Sequence, residues 1–372
     1  MNSLPELRSL PPASARLCLV VERFCLRRLE IPRGTRLVLA LSGGADSTAL
    51  ACILYILSPR LRLDLFALTI NHGLRPEADA DARCARDLCA QLGIPCVQRH
   101  ADVTGLASSN GWSLEEAGRH ARYALLEEER RARRADFVAL GHHNGDLSED
   151  VLLRLTRGTG WPALGGMAAR DDGRHLLRPL LFTRPQALRE LLRQCGIAWR
   201  DDASNGSPAF TRNRLRHNVL PLLRAENPSL DRSMAALWQL AQWDADYWEK
   251  TLSEALAAHP WQEEAHDGHP CLILPRALLA ALHPAARLRL YLKVVRLLIG
   301  RTSGESSGQA RSRTLLDLDA ALREGRGNTR FQLPGGIEAV LKGGAMRFSR
   351  TLVLHKHASH EADRPDFHGE QV

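Results

Sequence analysis

A short apolar run, Arg36 to Leu41 (RLVLAL), breaks directly into Ser42-Gly43-Gly44-Ala45-Asp46-Ser47, and helical spacing then holds from Asp46 to Leu57. A strand, a glycine turn and a helix in immediate succession leave few folds open. The two glycines let the backbone turn tightly and approach a ligand closely. Successive N–H groups then converge at the positive end of a helix, a setting that suits a phosphate group. Ser42 and Ser47 can add hydroxyl donors. Asp46 would repel a phosphate, so its place there fits holding Mg²⁺ or accepting a proton. An ordinary helix cap also uses Ser or Asp at such a position, but it does not call for the whole six-residue string.

The same alternation continues. Leu63 to Ile70, Pro95 to Arg99 and Asp136 to Leu140 read as further strands, and Ala78 to Leu92, Leu114 to Arg134 and Ser148 to Arg157 as helices. Strand and helix alternating in this way predict an α/β domain with a parallel sheet, whose ligands bind at the carboxyl ends of the strands. Composition shifts after about residue 224. From Pro228 to Leu298 the pattern is nearly all helical, with no strand alternation expected until Arg330. Pro334-Gly335-Gly336 and Gly343-Gly344 between short apolar runs predict a small β-hairpin, followed by a polar, His-rich tail. The expected domains are therefore 1–224, a catalytic α/β domain with a leading helix; 225–325, a helical domain; and 326–372, the hairpin and tail.

Charge and cysteine usage narrow the function classes. The formal net charge is +8, which favours a polyanionic partner. No lysine precedes Lys250, so neither a Walker A loop nor a pyridoxal phosphate lysine can lie in the first two thirds of the chain. The eight cysteines include no C-x-x-C pair, which argues against a zinc knuckle or a redox site. No apolar run is long enough to span a membrane, and a cytoplasmic location is expected.

Further polar clusters fall at the ends of the other strands. Ile70-Asn71-His72-Gly73-Leu74-Arg75 follows the second strand, with Gly73 suited to a positive-φ turn. Glu116, Arg119 and Tyr123 share a face of the long charged helix. Gly141-His142-His143-Asn144-Gly145-Asp146-Leu147-Ser148-Glu149-Asp150 leaves the fourth strand. Its Asp146, Glu149 and Asp150 lie at i, i+3, i+4, near a helix N-terminus that such acids also favour electrostatically. A glycine-rich stretch, Leu153 to Met167, and an arginine cluster, Thr211-Arg212-Asn213-Arg214-Leu215-Arg216, come later. Arginines in such a cluster can grip phosphates bidentately.

The string Ser42 to Ser47 resembles the S-G-G-x-D-S loop of the PP-loop ATP pyrophosphatases. With Asn71-His72-Gly73-Leu74-Arg75, the Glu116–Tyr123 helix, His142–Glu149, Arg157-Gly158, Arg178-Pro179-Leu180-Leu181 and Asp202-Ala203-Ser204-Asn205 in order, the chain is similar over roughly residues 36–224 to the tRNA(Ile)-lysidine synthase family. It departs from that family's H-H-x-D-D-x-x-E-T pattern at two positions, Gly145 and Asp150.

The resemblance implies ATP-dependent ligation of free L-lysine to C2 of the wobble cytidine in the CAU anticodon of tRNA(Ile), through an adenylated intermediate. ATP is then a cosubstrate bound by Ser42, Gly43, Gly44, Ala45, Asp46, Ser47, Asn71 and His72. Asp46 and Asp146 are the expected catalytic acids and Mg²⁺ ligands. His143, Glu149, Arg119 and Arg157 are expected in the substrate pocket, and Arg122, Arg212, Arg214 and Arg216 on the tRNA. A homodimer is left open. The alternatives are a PP-loop tRNA thiolase and a non-catalytic tRNA-binding protein that lost an acid at Gly145.

Overall fold

A computed structural model describes residues 4–73, 78–200, 211–266, 269–300 and 312–350. Leu74, Arg75 and the Asp202–Asn205 motif, read above as signature residues, lie outside the described residues, as does the polar tail.

After a leading helix α1 (Pro12–Arg27), the chain runs β1 (Arg36–Leu41), α2 (Ala45–Leu61), β2 (Asp64–Asn71), α3 (Ala78–Leu92), β3 (Cys96–His100), α4 (Val103–Asn110), α5 (Leu114–Ala132), β4 (Phe137–Ala139) and α6 (Asn144–Thr156). Two very short strands, β5 (Arg170–Asp171) and β6 (Leu176–Leu177), and helix α7 (Pro185–Gln194) follow. The sheet order is β3-β2-β1-β4-β6-β5, with only β5 antiparallel.

β1 is apolar on both faces because helices cover both, as a central parallel strand requires. α2 is likewise buried nearly all round, with Leu50, Ile53, Leu54 and Leu57 inaccessible to water. β1 leads to β2 and β3 on one side and has β4 on the other, so the crevice at the carboxyl ends opens between β1 and β4. The four strands expected from the pattern are all present within a residue or two. α6 begins at Asn144, four residues before the spacing suggested, which brings Asp146 into its first turn.

Helices α8 (Thr211–Arg214), α9 (Leu220–Glu226) and α10 (Leu230–Ala258) come next. With 29 residues, α10 is roughly 44 Å long. Trp238 near its start belongs to the core under the parallel sheet, and Leu252 near its end to a second core. The helical expectation for 228–298 fails in one stretch. β7 (Gln262–His266) and β8 (His269–Leu274) lie inside it, before α11 (Arg276–Ala281), α12 (Pro284–Gly300) and α13 (Ser312–Arg323).

β9 (Thr329–Leu333), β10 (Ile337–Lys342) and β11 (Ala345–Arg350) form the expected hairpin ribbon, but they extend into a five-stranded antiparallel sheet, β7-β8-β11-β10-β9. β7 is too polar to show alternation, and β8 is held by β11, some 75 residues later. Glycines with positive φ at Gly335, Gly336, Gly343 and Gly344 make the two tight turns. Tyr291, Leu298, Leu318 and Phe348 fill the second core, where Arg287 grips Asp319 through two bonds of 2.6 and 3.0 Å.

Candidate active site

The loop after β1 is shaped by distant chain. Gly43 has φ +79°, and a Cβ there would lie 2.7 Å from the Asp81 carbonyl oxygen on α3. Only glycine meets both conditions. The Gly43 carbonyl accepts from the Arg200 N–H at 3.0 Å, and the Arg200 guanidinium donates to the Asp81 carboxylate at 2.5 Å. Ser47 Oγ accepts from the Ser42 N–H at 3.2 Å and lies 3.1 Å from Ser42 Oγ. It donates to the Gly44 carbonyl at 3.0 Å. The two serines thus brace the turn as well as lining it. Sequence reading missed Asp81, because nothing local marks it.

Asn71, at the end of β2, is buried and spends its amide on its own loop. Nδ2 donates to Asp79 at 2.6 Å, and Oδ1 accepts from the Gly73 N–H at 2.8 Å. Gly73 has the positive φ expected of it, +63°.

Across the crevice, Gly141 follows β4. A Cβ at Gly141 would sit 3.0 Å from the backbone of Asp46 and Ser47, so the β4 loop lies flat against the first turn of α2. That contact brings His143 to Asp46. His143 caps α6: its Nδ1 accepts from the N–H groups of Gly145 and Asp146 at 3.0 and 3.4 Å, while Asp146 Oδ2 accepts from the His143 N–H at 2.9 Å. This is a capping box. With Nδ1 an acceptor, the proton sits on Nε2, 3.5 Å from Asp46 Oδ2. Burial opposes a charge on His143, but Asp46, Asp146 and Glu149 outweigh it and raise its pKa. Its neighbour His142 is held neutral, pushed down to about 3 by burial, and its Nδ1 lies 3.2 Å from Arg178 Nε.

The acids differ sharply. Asp146 Oδ1 accepts from Arg212 at 2.7 Å, so both its oxygens are engaged. Glu149 is 1% exposed and is clamped by Arg212 at 2.6 Å and by Arg216 at 2.5 and 3.0 Å. Asp150 turns away and pairs with Arg154 at 2.7 Å. Asp46 keeps one oxygen, Oδ1, that is shielded from water and has no hydrogen-bond partner. Such an oxygen beside a phosphate-binding loop fits Mg²⁺, which binds through one or two carboxylates and completes its shell with substrate phosphates and water. Among the described residues no cluster of three or more His, Cys, Asp or Glu could hold a metal alone.

Several expected site residues have partners within the chain or lie away from the crevice. Arg212 and Arg216, expected on the tRNA, pair with Asp146 and Glu149, which would otherwise be buried unpaired charges. Arg157 was expected in the substrate pocket. It is exposed at the C-terminal end of α6, eleven residues and about 16 Å along the axis from Asp146. Arg214 is exposed and reaches the Thr211 hydroxyl at 3.0 Å.

Arg119 and Arg122 meet at Tyr123, their guanidinium carbons 5.5 and 5.3 Å from its ring centre, and Arg174 joins at 4.4 Å. Burial would raise the Tyr123 pKa, but the surrounding arginines lower it. Arg174, beside the β5–β6 pair, had no signal in the sequence.

The nucleotide-binding crevice and its loops are those of a PP-loop protein, and a PP-loop domain model matches residues 20–223. A tRNA(Ile)-lysidine synthase of Nitratidesulfovibrio vulgaris is 47% identical over 328 residues, which cover 85% of this chain and 92% of that protein. The chain belongs to the tRNA(Ile)-lysidine synthase family. A relative of the same name in Geobacter sulfurreducens is 40% identical over 227 residues, and there the match spans 61% of this chain but about half (48%) of that longer protein. Among solved structures, the U34-tRNA thiolase NcsA of Methanococcus maripaludis with its [4Fe-4S] cluster superposes with a TM-score of 0.52 at 18% identity, covering 62% of this chain and 79% of that one. That likeness concerns the fold alone. All eight cysteines of this chain are free thiols. Among the described residues no helix is long and apolar enough to cross a membrane.

Proposed function

We propose that this ATP-dependent tRNA-modifying enzyme joins free L-lysine to C2 of the wobble cytidine of tRNA(Ile) with a CAU anticodon. The observation that carries the reading is Asp46. It stands on the phosphate-binding turn, faces His143 across the β1–β4 crevice and keeps an unpartnered oxygen.

On this reading the cytidine O2 attacks the α-phosphorus of ATP, and the bond to the β-phosphate oxygen breaks. The amides of the Ser42–Ser47 turn hold the phosphates and stabilise the departing pyrophosphate. Asp46 would hold Mg²⁺ together with the phosphates, and the ion would supply charge neutralisation for the departing pyrophosphate. The lysine ε-amine then attacks C2, and O2 departs on AMP. The attacking amine must first be neutral, although its free pKa is about 10.4. A carboxylate of the crevice takes the amine's proton, and His143 is a positioning residue that fixes Asp46 Oδ2. Asp146 and Glu149 organise Arg212 and Arg216, and that cluster supports a lysine subsite of balanced charge beside α6. The Arg119–Arg122–Arg174 group supports phosphate contacts.

The tRNA and ATP substrates support a cytoplasmic location. The exposed stripe Leu240, Trp243 and Tyr247 on α10 supports a homodimer, which sedimentation at micromolar protein checks.

The decisive experiment is transfer of labelled lysine to unmodified tRNA(Ile) with a CAU anticodon, with ATP and Mg²⁺, and methionine tRNA as control. The expected result is label in the isoleucine tRNA alone, reduced at least about a hundredfold in Asp46→Ala. Folded, ATP-binding protein that labels neither tRNA would overturn the reading.

A further inference from the structure

A second cavity, of about 380 Å³, lies at the opposite end of α6 from Asp46, between the glycine-rich loop and helices α12 and α13. Two parts of the molecule build it jointly. Ser312, the first residue of α13, directs both its N–H and its hydroxyl to the Gly158 carbonyl, at 3.2 and 3.0 Å. Gly160 leaves room for that approach; a Cβ there would stand 2.6 Å from Ser312 Oγ. Gly160 thus serves the contact between this loop and α13.

The cavity's lining has an unusual composition. Leu292, Leu315 and Leu316 supply apolar wall, Trp161 supplies an aromatic plane, and Arg289 and Arg296 supply charge. Trp161 is fixed at both ends, its indole N–H donating to Asp244 and its carbonyl accepting from Arg289 at 3.2 Å. Arg289 Nε is shielded from water and has no partner. Among the described residues neither Arg289 nor Arg296 forms an ion pair; Asp244 lies near Arg289, whose guanidinium carbon is 4.9 Å from the Trp248 ring centre, and Glu249 and Asp171 lie near Arg296. An apolar slot with an anchored indole and two guanidiniums outside any direct ion pair suits an anion that carries a flat, partly apolar group. A nucleotide has that chemistry, and 380 Å³ is within the range of small-molecule sites.

Resting on the tRNA reading above, we propose that this cavity takes one splayed-out nucleotide of the bound tRNA, its base against Trp161 and its phosphate at Arg289 and Arg296. The site lies too far along α6 to hold the reacting cytidine at the same time. It therefore binds a different nucleotide and fixes the register of the strand that enters the crevice. Splayed bases on aromatic side chains with arginine at the phosphate are the usual means of holding single-stranded RNA.

The test uses the full chain and a full-length tRNA(Ile) transcript, with binding measured across a series of salt concentrations. Leu316 is 54% exposed at the cavity's edge, so Leu316→Trp fills the space without disturbing the core. We expect it to weaken tRNA binding about tenfold while ATP binding stays unchanged. Arg296→Ala should lower the slope of log K against log salt by about one, the signature of one lost phosphate contact. Single abasic substitutions in the anticodon loop should reveal one position that weakens binding to the unsubstituted protein and has no effect on Leu316→Trp. If both variants bind tRNA with the original affinity and slope, the cavity is not an RNA site. These readouts need no chemistry. Failure of lysine transfer with cavity-dependent RNA binding would sink the ligase reading alone, whereas intact transfer with unchanged binding would sink only this inference.

Discussion

Glu149 and Asp46 are both carboxylates at the crevice, yet they have opposite constraints. Glu149 is sealed and doubly paired, while Asp46 has one oxygen fixed toward His143 and one without a partner. The first situation serves stability, and the second leaves a carboxylate oxygen without a partner. Removing one partner from a buried pair leaves the other charge uncompensated. Arg212→Met should therefore cost about 2 kcal/mol of stability, limited by the Arg216 pair that remains, and should leave the salt dependence of tRNA binding unchanged. Urea denaturation and a salt titration check both halves. A normal denaturation midpoint with a slope reduced by about one would return Arg212 to the RNA surface. The motif that holds these residues was legible, because each residue type recurs at fixed local spacing. Which way the arginines point was not, because their partners are some 65 residues away in α6.

Among the elements, the second sheet is the clearest case of structure made by pairing over sequence distance. β11 sits between β10 and β8, and its Met346 and Phe348 are fully buried. A chain ending at Lys342 would keep the β9–β10 hairpin but separate it from β7–β8. It would also open the second core around Tyr291 and Leu298. We expect such a truncation to lose the thermal transition of this unit and to become sensitive to limited proteolysis after residue 258, with the parallel-sheet unit still protected. Equal protection of both units would show that β11 is dispensable. The hairpin was readable from paired glycines flanked by alternating apolar residues. β7 and β8 were not, since one is polar and the other has an apolar run of only four residues, Cys271 to Leu274, that a helix could equally use.

At the scale of the whole molecule, two hydrophobic cores are joined by α10, with Trp238 in one and Leu252 in the other. A ligand stabilises only the cooperative unit that binds it, by about 2.7 kcal/mol at a hundredfold excess over Kd. Saturating ATP should therefore raise the unfolding temperature of the unit carrying Ser42–Ser47 and leave that of the second unit unchanged. Calorimetry with and without ATP checks this, and a single transition that moves as a whole would show the cores to be one cooperative unit. The sequence alone determined the α/β order, the glycine turn after β1 and the family, because strand period, helix period and glycine geometry act over a few neighbouring residues. Tertiary structure decided the rest: Asp81 against Gly43, His143 opposite Asp46, the inward arginines, and the cavity between the glycine-rich loop and α12–α13. Each of these depends on which distant groups share a low-dielectric space, and burial rather than local propensity decides that.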